Sequence, residues 1–436
     1  MRRFVACDNG FGRSRLRVSW HIGEDTFVCG LRLDPEDELT GTGQAGRQVR
    51  LLTNRFRVQL PTVVAEPHPD LLAAAAWSAL APWTVRRLTM DRPVSQQLAQ
   101  TFIRAHGVEV GPVDDTLAPR NPGVLPGLSY SGGADSVAVA EVLPPGTPHI
   151  HFRRVPHPRV PDRATPIRAA QVEALVMEAG RRGRDVHIVR SDLEYLCLPQ
   201  PTFPHWTAVG IGITLMADHL DLGAAAYGTV LGTKYLESGL RFRPGASGNT
   251  PDAQVGAAVG LAQLRPACGM SEVVTVGLAH RSVLGDLVRS CLIGEHGPCL
   301  ACTKCFRKEL VLSVLEDRPP DPVLWERMTP TSHVFQEYRN GPPWHMQHVL
   351  EYGLTRARGI DRSPAGWMLQ RVAVTPSQTD WLTRYYPPAL EHEVPPPFRP
   401  SVSQAIEELV GFMRPDDIEA LEAFDATRHR ADSRGL

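Results

Sequence analysis

The residue types that bind phosphate stand together at six consecutive positions, Ser131-Gly132-Gly133-Ala134-Asp135-Ser136. An apolar approach at residues 125–130 and a short apolar stretch at 137–140 predict a strand, a glycine turn and the start of a helix. Glycines let the backbone approach an anion, and a first helical turn offers unpaired N–H groups and the positive end of the helix dipole. The serine hydroxyls can donate hydrogen bonds, and the carboxylate can hold a magnesium ion that bridges phosphates. We therefore predict a phosphate-binding loop, with a solvated glycine–serine turn as the alternative.

A second group of chemically active residues is a cluster of cysteines with the spacing C-x7-C-x2-C-x2-C: Cys291, Cys299, Cys302 and Cys305. Two-residue spacers let neighbouring thiolates share one ion, and four thiolates suit tetrahedral zinc in a closed, structural site. An iron–sulfur cluster is the competing interpretation, because C-x2-C-x2-C also occurs in ferredoxins. The third interpretation is that all four cysteines are free thiols.

A third segment, residues 228–239, is rich in glycine and follows an apolar run at 224–227 that predicts a strand. Ligands of open α/β sheets bind beyond the carboxyl ends of the strands, where this segment is expected to lie. Its polar side chains, among them Lys234 and Glu237, are therefore candidates for the same site as the first loop. The alternative is an ordinary glycine-rich connection with a solvated lysine and glutamate.

The six-residue string resembles the S-G-G-x-D-S loop of the ATP pyrophosphatase (PP-loop) superfamily, which includes GMP synthetase, asparagine synthetase, tRNA-lysidine synthase and 7-cyano-7-deazaguanine synthase. The cysteine cluster is similar to the zinc site of the last of these, in which an arginine, here Arg307, and a short helix follow the cysteines. This resemblance covers residues 125–312. It implies that residues 131–136 bind ATP with Mg²⁺ and that the four cysteines bind Zn²⁺.

The segment 228–239 is similar to the G-T-x-x…E-S segment of GMP synthetase. That likeness implies that Gly228 and Thr229 contact phosphate or substrate, that Lys234 neutralises phosphate charge and that Glu237 holds magnesium. 7-Cyano-7-deazaguanine synthase carries an asparagine and an aspartate in place of this run, so the resemblance leaves the acceptor substrate open.

The reaction implied by the resemblance is adenylation, with Asp135, Lys234 and Glu237 as the catalytic residues. An oxygen of a substrate carboxylate or amide attacks the α-phosphate of ATP and expels pyrophosphate, and ammonia or an amine then takes the activated carbon to form a C–N bond. Two alternatives remain: a thiolation enzyme with an iron–sulfur cluster, and a non-catalytic regulator that binds a nucleotide.

Three regions are expected to position these residues. Strand and helix patterns alternate over 121–318, which predicts an α/β core with a parallel sheet, and the resemblance implies the Rossmann-like (HUP-like) fold of PP-loop enzymes. Residues 1–120 predict an α+β extension of alternating strands followed by helices, and residues 319–436 predict a helical extension. Within the core, the run 273–276 predicts a strand and residues 209–220 a long helix.

Charge and hydropathy narrow the class of partner. Lysine and arginine number 46 against 47 acidic residues, a net charge of −1, so there is no overall basic field and we expect a small-molecule substrate rather than a nucleic acid. No apolar run reaches the ~18 residues needed to span a bilayer, and the first eight residues become polar too early for a secretory signal. We expect a cytoplasmic protein without a membrane partner, with a homodimer as the candidate assembly.

Overall fold

The computed structural model describes residues 15–33, 39–43, 46–84, 86–157, 166–199, 202–243, 248–288, 290–291, 298–372 and 374–428. Its strands are β1 (Arg15–Ile22), β2 (Thr26–Arg32), β3 (Thr40–Thr42), β4 (Gln48–Leu51), β5 (Arg55–Gln59), β6 (Arg87–Ser95), β7 (Glu109–Asp114), β8 (Leu125–Ser129), β9 (His149–Arg154), β10 (Val186–Ser191), β11 (Cys197–Leu198), β12 (Leu222–Ala226) and β13 (Ala262–Leu264). Its α-helices are α1 (Pro69–Leu80), α2 (Gln96–His106), α3 (Ala134–Val142), α4 (Pro166–Arg181), α5 (Ile211–Met216), α6 (Leu231–Lys234), α7 (Pro251–Ala258), α8 (Glu272–Arg281), α9 (Thr303–Leu315), α10 (Pro322–Arg327), α11 (His333–Tyr338), α12 (Gln347–Arg356), α13 (Gly366–Leu369), α14 (Pro388–Glu393), α15 (Arg399–Leu409) and α16 (Pro415–Glu422).

Ten of these strands form one sheet in the order β13-β12-β8-β9-β10-β5-β2-β1-β6-β7. The five strands from β13 to β10 are all parallel, β1 is parallel to β6 and β6 to β7, and the pairings of β10 with β5, β5 with β2 and β2 with β1 are antiparallel. The structure thus confirms the α/β class with a large, mostly parallel sheet. This sheet runs without a break across residue 120, where the sequence suggests a domain boundary.

The order of the parallel strands defines where a ligand would bind. Numbered along the chain, β8 is the first, β9 the second, β10 the third, β12 the fourth and β13 the fifth, so their order in space is 5-4-1-2-3. The chain reverses its direction of growth between β8 and β12. In open α/β sheets, the crevice beyond the carboxyl ends of two such strands is the usual ligand site.

The two halves of the sheet are covered differently. All five residues of β12 are buried, and apolar side chains of the core strands pack with α3, α8 and the C-terminal helices, as expected for parallel strands covered on both faces. In β1, buried Leu16, Val18 and Trp20 alternate with exposed Arg17 and Ser19. The buried residues pack with helices α1 and α2, and the residues of β1 and β2 on the other face are exposed or half-buried.

Two elements of the core differ from the sequence-based prediction. Residues 273–276, predicted as a strand, lie in helix α8, because Ser271 Oγ accepts hydrogen bonds from the N–H groups of Val273 and Val274 and so caps a helix there. Residues 209–220, predicted as one long helix, form the end of a 3-10 helix and the short helix α5. At the junction of these two helices is Gly210, where an added Cβ would lie 2.3 Å from the Tyr227 hydroxyl.

From residue 319 onward, the part of the chain that the structure describes contains helices α10–α16 and no β-strand. Several of these helices pack on the core of the sheet: Ala389, Val402 and Leu421 belong to the same buried cluster as Leu128 of β8. Nowhere in the described residues is there a helix with the length and apolar character needed to cross a membrane.

One buried carboxyl group in this helical region makes stability depend on pH. Glu351 of α12 is fully buried and accepts a hydrogen bond from Gln347 (2.8 Å), and burial raises its pKa from 4.5 to about 7. Between these two values the folded chain keeps a proton that the unfolded chain has lost, so stability falls as the pH rises through this window and the loss is complete above pH 7.

We expect the isosteric substitution Glu351→Gln to remove this dependence. The Tm of the variant should match that of the unmodified protein near pH 4 and exceed it by several degrees at pH 8, because the amide has no proton to lose. Thermal unfolding at both pH values measures the difference. A Tm difference that is the same at pH 4 and pH 8 would show that Glu351 ionises normally in the folded protein.

Candidate functional site

The loop predicted to bind phosphate joins β8 to α3 at the point where the sheet reverses its growth. Gly132 has a φ of +71°, in the left-handed region that favours glycine, and Gly133 is the N-cap of α3. The Ser131 and Ser136 hydroxyls are 3.1 Å apart, and Ser136 Oγ donates to the Gly133 carbonyl (3.0 Å). The loop therefore has the strand–turn–helix order that the sequence predicts, with the N-terminus of α3 beyond the carboxyl end of β8.

The second predicted segment begins beside this loop. Strand β12 pairs with β8, Ala226 being opposite Leu128, and Gly228 follows it. A Cβ at Gly228 would lie 3.2 Å from the Asp135 carbonyl carbon and 3.3 Å from the Ser136 nitrogen, so a larger residue would push against the first turn of α3. The structure thus brings Gly228 into contact with the loop, and half-buried Thr229 follows it.

Asp135 is held by two other helices. Thr275 Oγ1 of α8 donates a hydrogen bond to Asp135 Oδ1 (2.8 Å), and Lys308 Nζ of α9 lies 3.9 Å from the same oxygen. Lys308 is 9% exposed, and its ammonium group makes no hydrogen bond within the described residues. A buried ammonium group without a hydrogen bond is costly in the free protein and favourable beside a bound anion.

A second lysine, Lys304, lies one helical turn before Lys308 on α9. Burial and the nearby charge of Lys308 lower its pKa, and both lysines line a cavity of about 290 Å³ that reaches Ala134 at the start of α3. The Ala134 N–H donates to Ser290 Oγ (3.1 Å), so the hydroxyl occupies a position at the helix N-terminus that an anion oxygen would also fit. The cavity therefore combines two ammonium groups with the positive end of a helix dipole.

The sequence analysis assigned no role to Lys304 or Lys308, although the amino-acid composition of the chain draws attention to its lysines. The chain has 43 arginines and only three lysines: Lys234, Lys304 and Lys308. Lysine is a compact, strongly hydrated point charge and a common phosphate ligand, whereas arginine offers a planar fork, so the two are not interchangeable at every site. The few positions that keep lysine in an arginine-rich chain are therefore candidates for a specific role.

Lys234 and Glu237, the other two residues predicted to be catalytic, lie in ion pairs of their own. Lys234 Nζ is 3.2 Å from Glu393 Oε1, a fully buried carboxylate that Arg265 also contacts at 2.7 Å. Glu237 Oε2 accepts a hydrogen bond from Arg241 at 2.7 Å. Their proposed contacts with phosphate and magnesium stay predictions.

The four cysteines come together as the spacing predicts, and they could hold a metal such as zinc. Their sulfur atoms all lie within 4.8 Å of one another, and Cys299 Sγ and Cys305 Sγ are 3.8 Å apart. Tetrahedral zinc with Zn–S bonds of about 2.3 Å places its sulfur ligands about 3.8 Å apart. A four-iron cluster would place each cysteine on a different iron and so hold the sulfurs further apart, and the observed geometry therefore fits a single ion better.

Helix α9 connects the cysteine cluster to the lysines. Cys302 is its N-cap and accepts a hydrogen bond from the Cys305 N–H (3.4 Å), so the helix begins inside the cluster. On the next turn, Arg307 contacts Glu272 of α8 at 3.2 Å. Burial opposes ionisation of Glu272, but the charges of Arg307 and the two lysines hold its pKa below the usual value. The cluster and this buried ion pair therefore fix the helix that carries Lys304 and Lys308.

A family of unknown function (DUF6395) matches residues 253–425, which is less than half of the chain. The matched part contains α8, α9, the cysteine cluster and both cavity lysines, but neither the loop at 131–136 nor the segment 228–239. No curated protein and no solved structure matches the chain.

Proposed function

We propose that the chain is an ATP-dependent ligase of the PP-loop type, which adenylates a carboxylate or amide oxygen of a small molecule and releases pyrophosphate. The observation that carries this proposal is the position of residues 131–136. They join the first parallel strand to its helix at the reversal point of a 5-4-1-2-3 sheet, with the helix N-terminus at the ligand crevice.

The residues around the loop support a role in binding the phosphates of ATP. The N–H groups at the start of α3 and the serine hydroxyls would donate to phosphate oxygens, and Lys304 and Lys308 would neutralise the charge that develops on the leaving pyrophosphate. Asp135 would hold the magnesium ion that bridges the phosphates, with Thr275 fixing its carboxylate. Zinc at the four cysteines would have no open position and would serve the fold.

The acceptor half of the reaction follows the resemblance described above. The activated carbon would be attacked by ammonia or an amine, which forms a C–N bond and releases AMP. A carboxylate or amide acceptor supplies the oxygen that attacks the α-phosphate, so AMP and pyrophosphate are the expected products.

The test is the identity of the nucleotide product. The protein with Mg²⁺ and α-labelled ATP is incubated with a panel of small carboxylic acids and amides plus ammonium, and the labelled nucleotide is separated. AMP together with pyrophosphate supports the proposal. Formation of ADP and phosphate would contradict it.

Substitution of Lys308 and of Lys234 tests which of these two lysines contacts the phosphates. We expect Lys308→Met to reduce kcat on the order of 10², because it removes a charge next to Asp135, and to leave Tm nearly unchanged. We expect Lys234→Met to lower Tm, because it removes one of the charges that face buried Glu393.

Steady-state kinetics and thermal unfolding of the two variants, measured side by side, check this prediction. Loss of activity at unchanged Tm in Lys234→Met, together with full activity in Lys308→Met, would assign the phosphate contact to Lys234 and remove Lys308 from the site.

A further inference from the structure

The cavity beside Lys304 and Lys308, which we call the lysine cavity, has walls that phosphate groups do not require. Its aliphatic lining comes from α8, α9 and the loops before α9: Val276, Ala279, Val288, Leu300 and Leu312. A phosphate chain is charged along its length and gains nothing from aliphatic side chains, whereas a hydrocarbon group is stabilised when they remove it from water. The walls therefore favour a ligand with a hydrocarbon part.

The lysine cavity is compact and open to solvent. Its volume is about 290 Å³, just below the range of roughly 300–1,000 Å³ for pockets that hold drug-sized ligands. It therefore suits a molecule with a single ring or a short branched chain, rather than a whole nucleotide. His280 and Asp286 also line it, and their side chains are 44% and 65% exposed, so a ligand can enter beside them.

The acidic residues that line the cavity have cationic partners of their own. Asp286 Oδ1 accepts a hydrogen bond from Arg182 Nη1 (2.6 Å), and Glu309 Oε1 accepts one from Arg318 Nη1 (2.6 Å). The buried ammonium group of Lys308, in contrast, makes no hydrogen bond within the described residues, and Asp135 Oδ1 is 3.9 Å from it. The charge that a ligand would satisfy in this cavity is therefore positive.

Aliphatic walls with a cationic end select one class of ligand. A carboxylate can accept a charge-assisted hydrogen bond from Lys308, whereas a neutral amide of the same shape leaves the ammonium group without a negative partner. A second carboxylate on the same molecule would lie against aliphatic side chains with its charge unpaired, which is costly. An inorganic anion would make no use of the walls. The lining thus fits an acid with one carboxylate and an apolar body.

The lysine cavity also lies next to the loop at 131–136. Ala134 lines it and is the neighbour of Asp135, and Lys308 both lines it and faces the Asp135 carboxylate. In adenylation, a negatively charged carboxylate must attack a negatively charged α-phosphate, and a cation beside both anions reduces their repulsion. A carboxylate held by Lys308 would therefore lie close to the proposed ATP site.

We propose that the lysine cavity is the acceptor site and that the acceptor is a compact, apolar monocarboxylic acid with an aromatic or branched-chain body. The inference rests on the proposed ligase function and deepens it by naming the substrate class. One carboxylate oxygen forms a bond to the α-phosphorus, and the bond from that phosphorus to pyrophosphate breaks, with the electron pair leaving on pyrophosphate. Cys291 and Cys305 also line the cavity, but a closed four-thiolate zinc site has no open position for the carboxylate.

The test measures binding to the full, zinc-loaded chain without ATP, so that it does not depend on turnover. Isothermal titration uses benzoate, phenylacetate, 3-phenylpropionate and 4-methylpentanoate, the primary amide of each as its neutral counterpart, and glutarate as a dicarboxylate. Val276→Phe fills the cavity, because Val276 is 3% exposed and lines it. Val283→Phe is the matched control, since Val283 follows the end of α8 and is 65% exposed.

We expect at least one of these acids to bind, and its amide to bind at least about tenfold more weakly, since a hydrogen bond to a charged group is worth about that factor or more. Val276→Phe should weaken binding of the acid at least about tenfold by occupying its space, and Val283→Phe should leave it unchanged. Lys308→Met should bind acid and amide nearly equally. This last variant gives a result even where Val276→Phe fails to fold.

Absence of binding by all four acids at millimolar concentration would overturn the proposal, and so would equal affinity of each acid and its amide. Binding of glutarate as tight as that of the apolar acids would overturn the substrate class, and unchanged binding by folded Val276→Phe would overturn the location. ADP as the nucleotide product in a protein that binds the acid would contradict the ligase function and not the acid-binding site, so the two failures are distinguishable.

Discussion

Asp135→Ala is expected to abolish ATP-dependent formation of AMP, with a loss of at least about 10³ in kcat, while the protein stays folded. The carboxylate is on the first turn of α3, is 30% exposed and is already held by Thr275, so its removal takes away the group proposed to bind magnesium and little packing. Thermal unfolding of the variant should match that of the unmodified protein. AMP formation in the presence of Mg²⁺, measured on any acceptor that gives turnover, checks the expectation.

A more conservative substitution of Asp135 tests whether its negative charge or only its shape is required for activity. Asp135→Asn keeps an oxygen that can accept from Thr275 but loses the negative charge, so we expect it to be nearly as inactive as the alanine variant. Asp361→Ala is the matched control, because Asp361 is 67% exposed on the helical region and pairs with a surface arginine. Full activity in Asp135→Asn would mean that the carboxylate positions the loop and that magnesium is held elsewhere.

The second large effect is expected at the cysteine cluster. The protein should hold one zinc ion per chain, and Cys302→Ser should lower both the zinc content and the Tm, the latter by about 10 °C or more, because the binding free energy of a closed thiolate site is folding free energy. Cys302 and Cys305 pack with Phe306, Leu310 and Tyr338 in one buried cluster, so loss of the metal would loosen the helices that follow α9.

Elemental analysis and thermal unfolding measure this effect. Cys268→Ser is the control, since Cys268 is a fully buried thiol outside the cluster, and its substitution should leave the zinc content unchanged. Because Cys302 caps the N-terminus of α9, which carries Lys304 and Lys308, metal-free protein should also bind Mg–ATP more weakly by isothermal titration. Iron with labile sulfide in the purified protein would contradict the zinc assignment.

Local patterns predicted the parts of the site that are local in sequence. The turn at 131–136 and the cysteines at 291–305 each depend on residues a few positions apart, and their spacing was enough to foresee a strand–turn–helix loop and a four-sulfur cluster. The α/β class followed from alternation of strand and helix patterns in the same way.

The parts that sequence missed depend on tertiary contacts. Lys308 lies 173 positions from Asp135, and only the packing of α8 against both α3 and α9 brings them together. The run 273–276 has the β-branched composition of a strand, but the cap at Ser271 and burial of the helix against α3 and α9 outweigh that preference. The continuation of the sheet through β5 rests on two residue pairs, Arg190 with Gln59 and Ser191 with Val58, which no local pattern encodes.

The short pairing between β10 and β5 determines what happens when the chain is truncated. A protein that began at residue 121 would lose the partner of β10 and expose its unpaired N–H and C=O groups as a new edge. It would also leave Asp192 without the Arg57 N–H (2.7 Å) and Ser191 without the Arg57 carbonyl (2.6 Å). An exposed hydrophobic strand edge recruits strands from other molecules, so we expect residues 121–436 expressed alone to aggregate. The N-terminal strands therefore also prevent the edge of the parallel sheet at β10 from pairing with strands of other molecules.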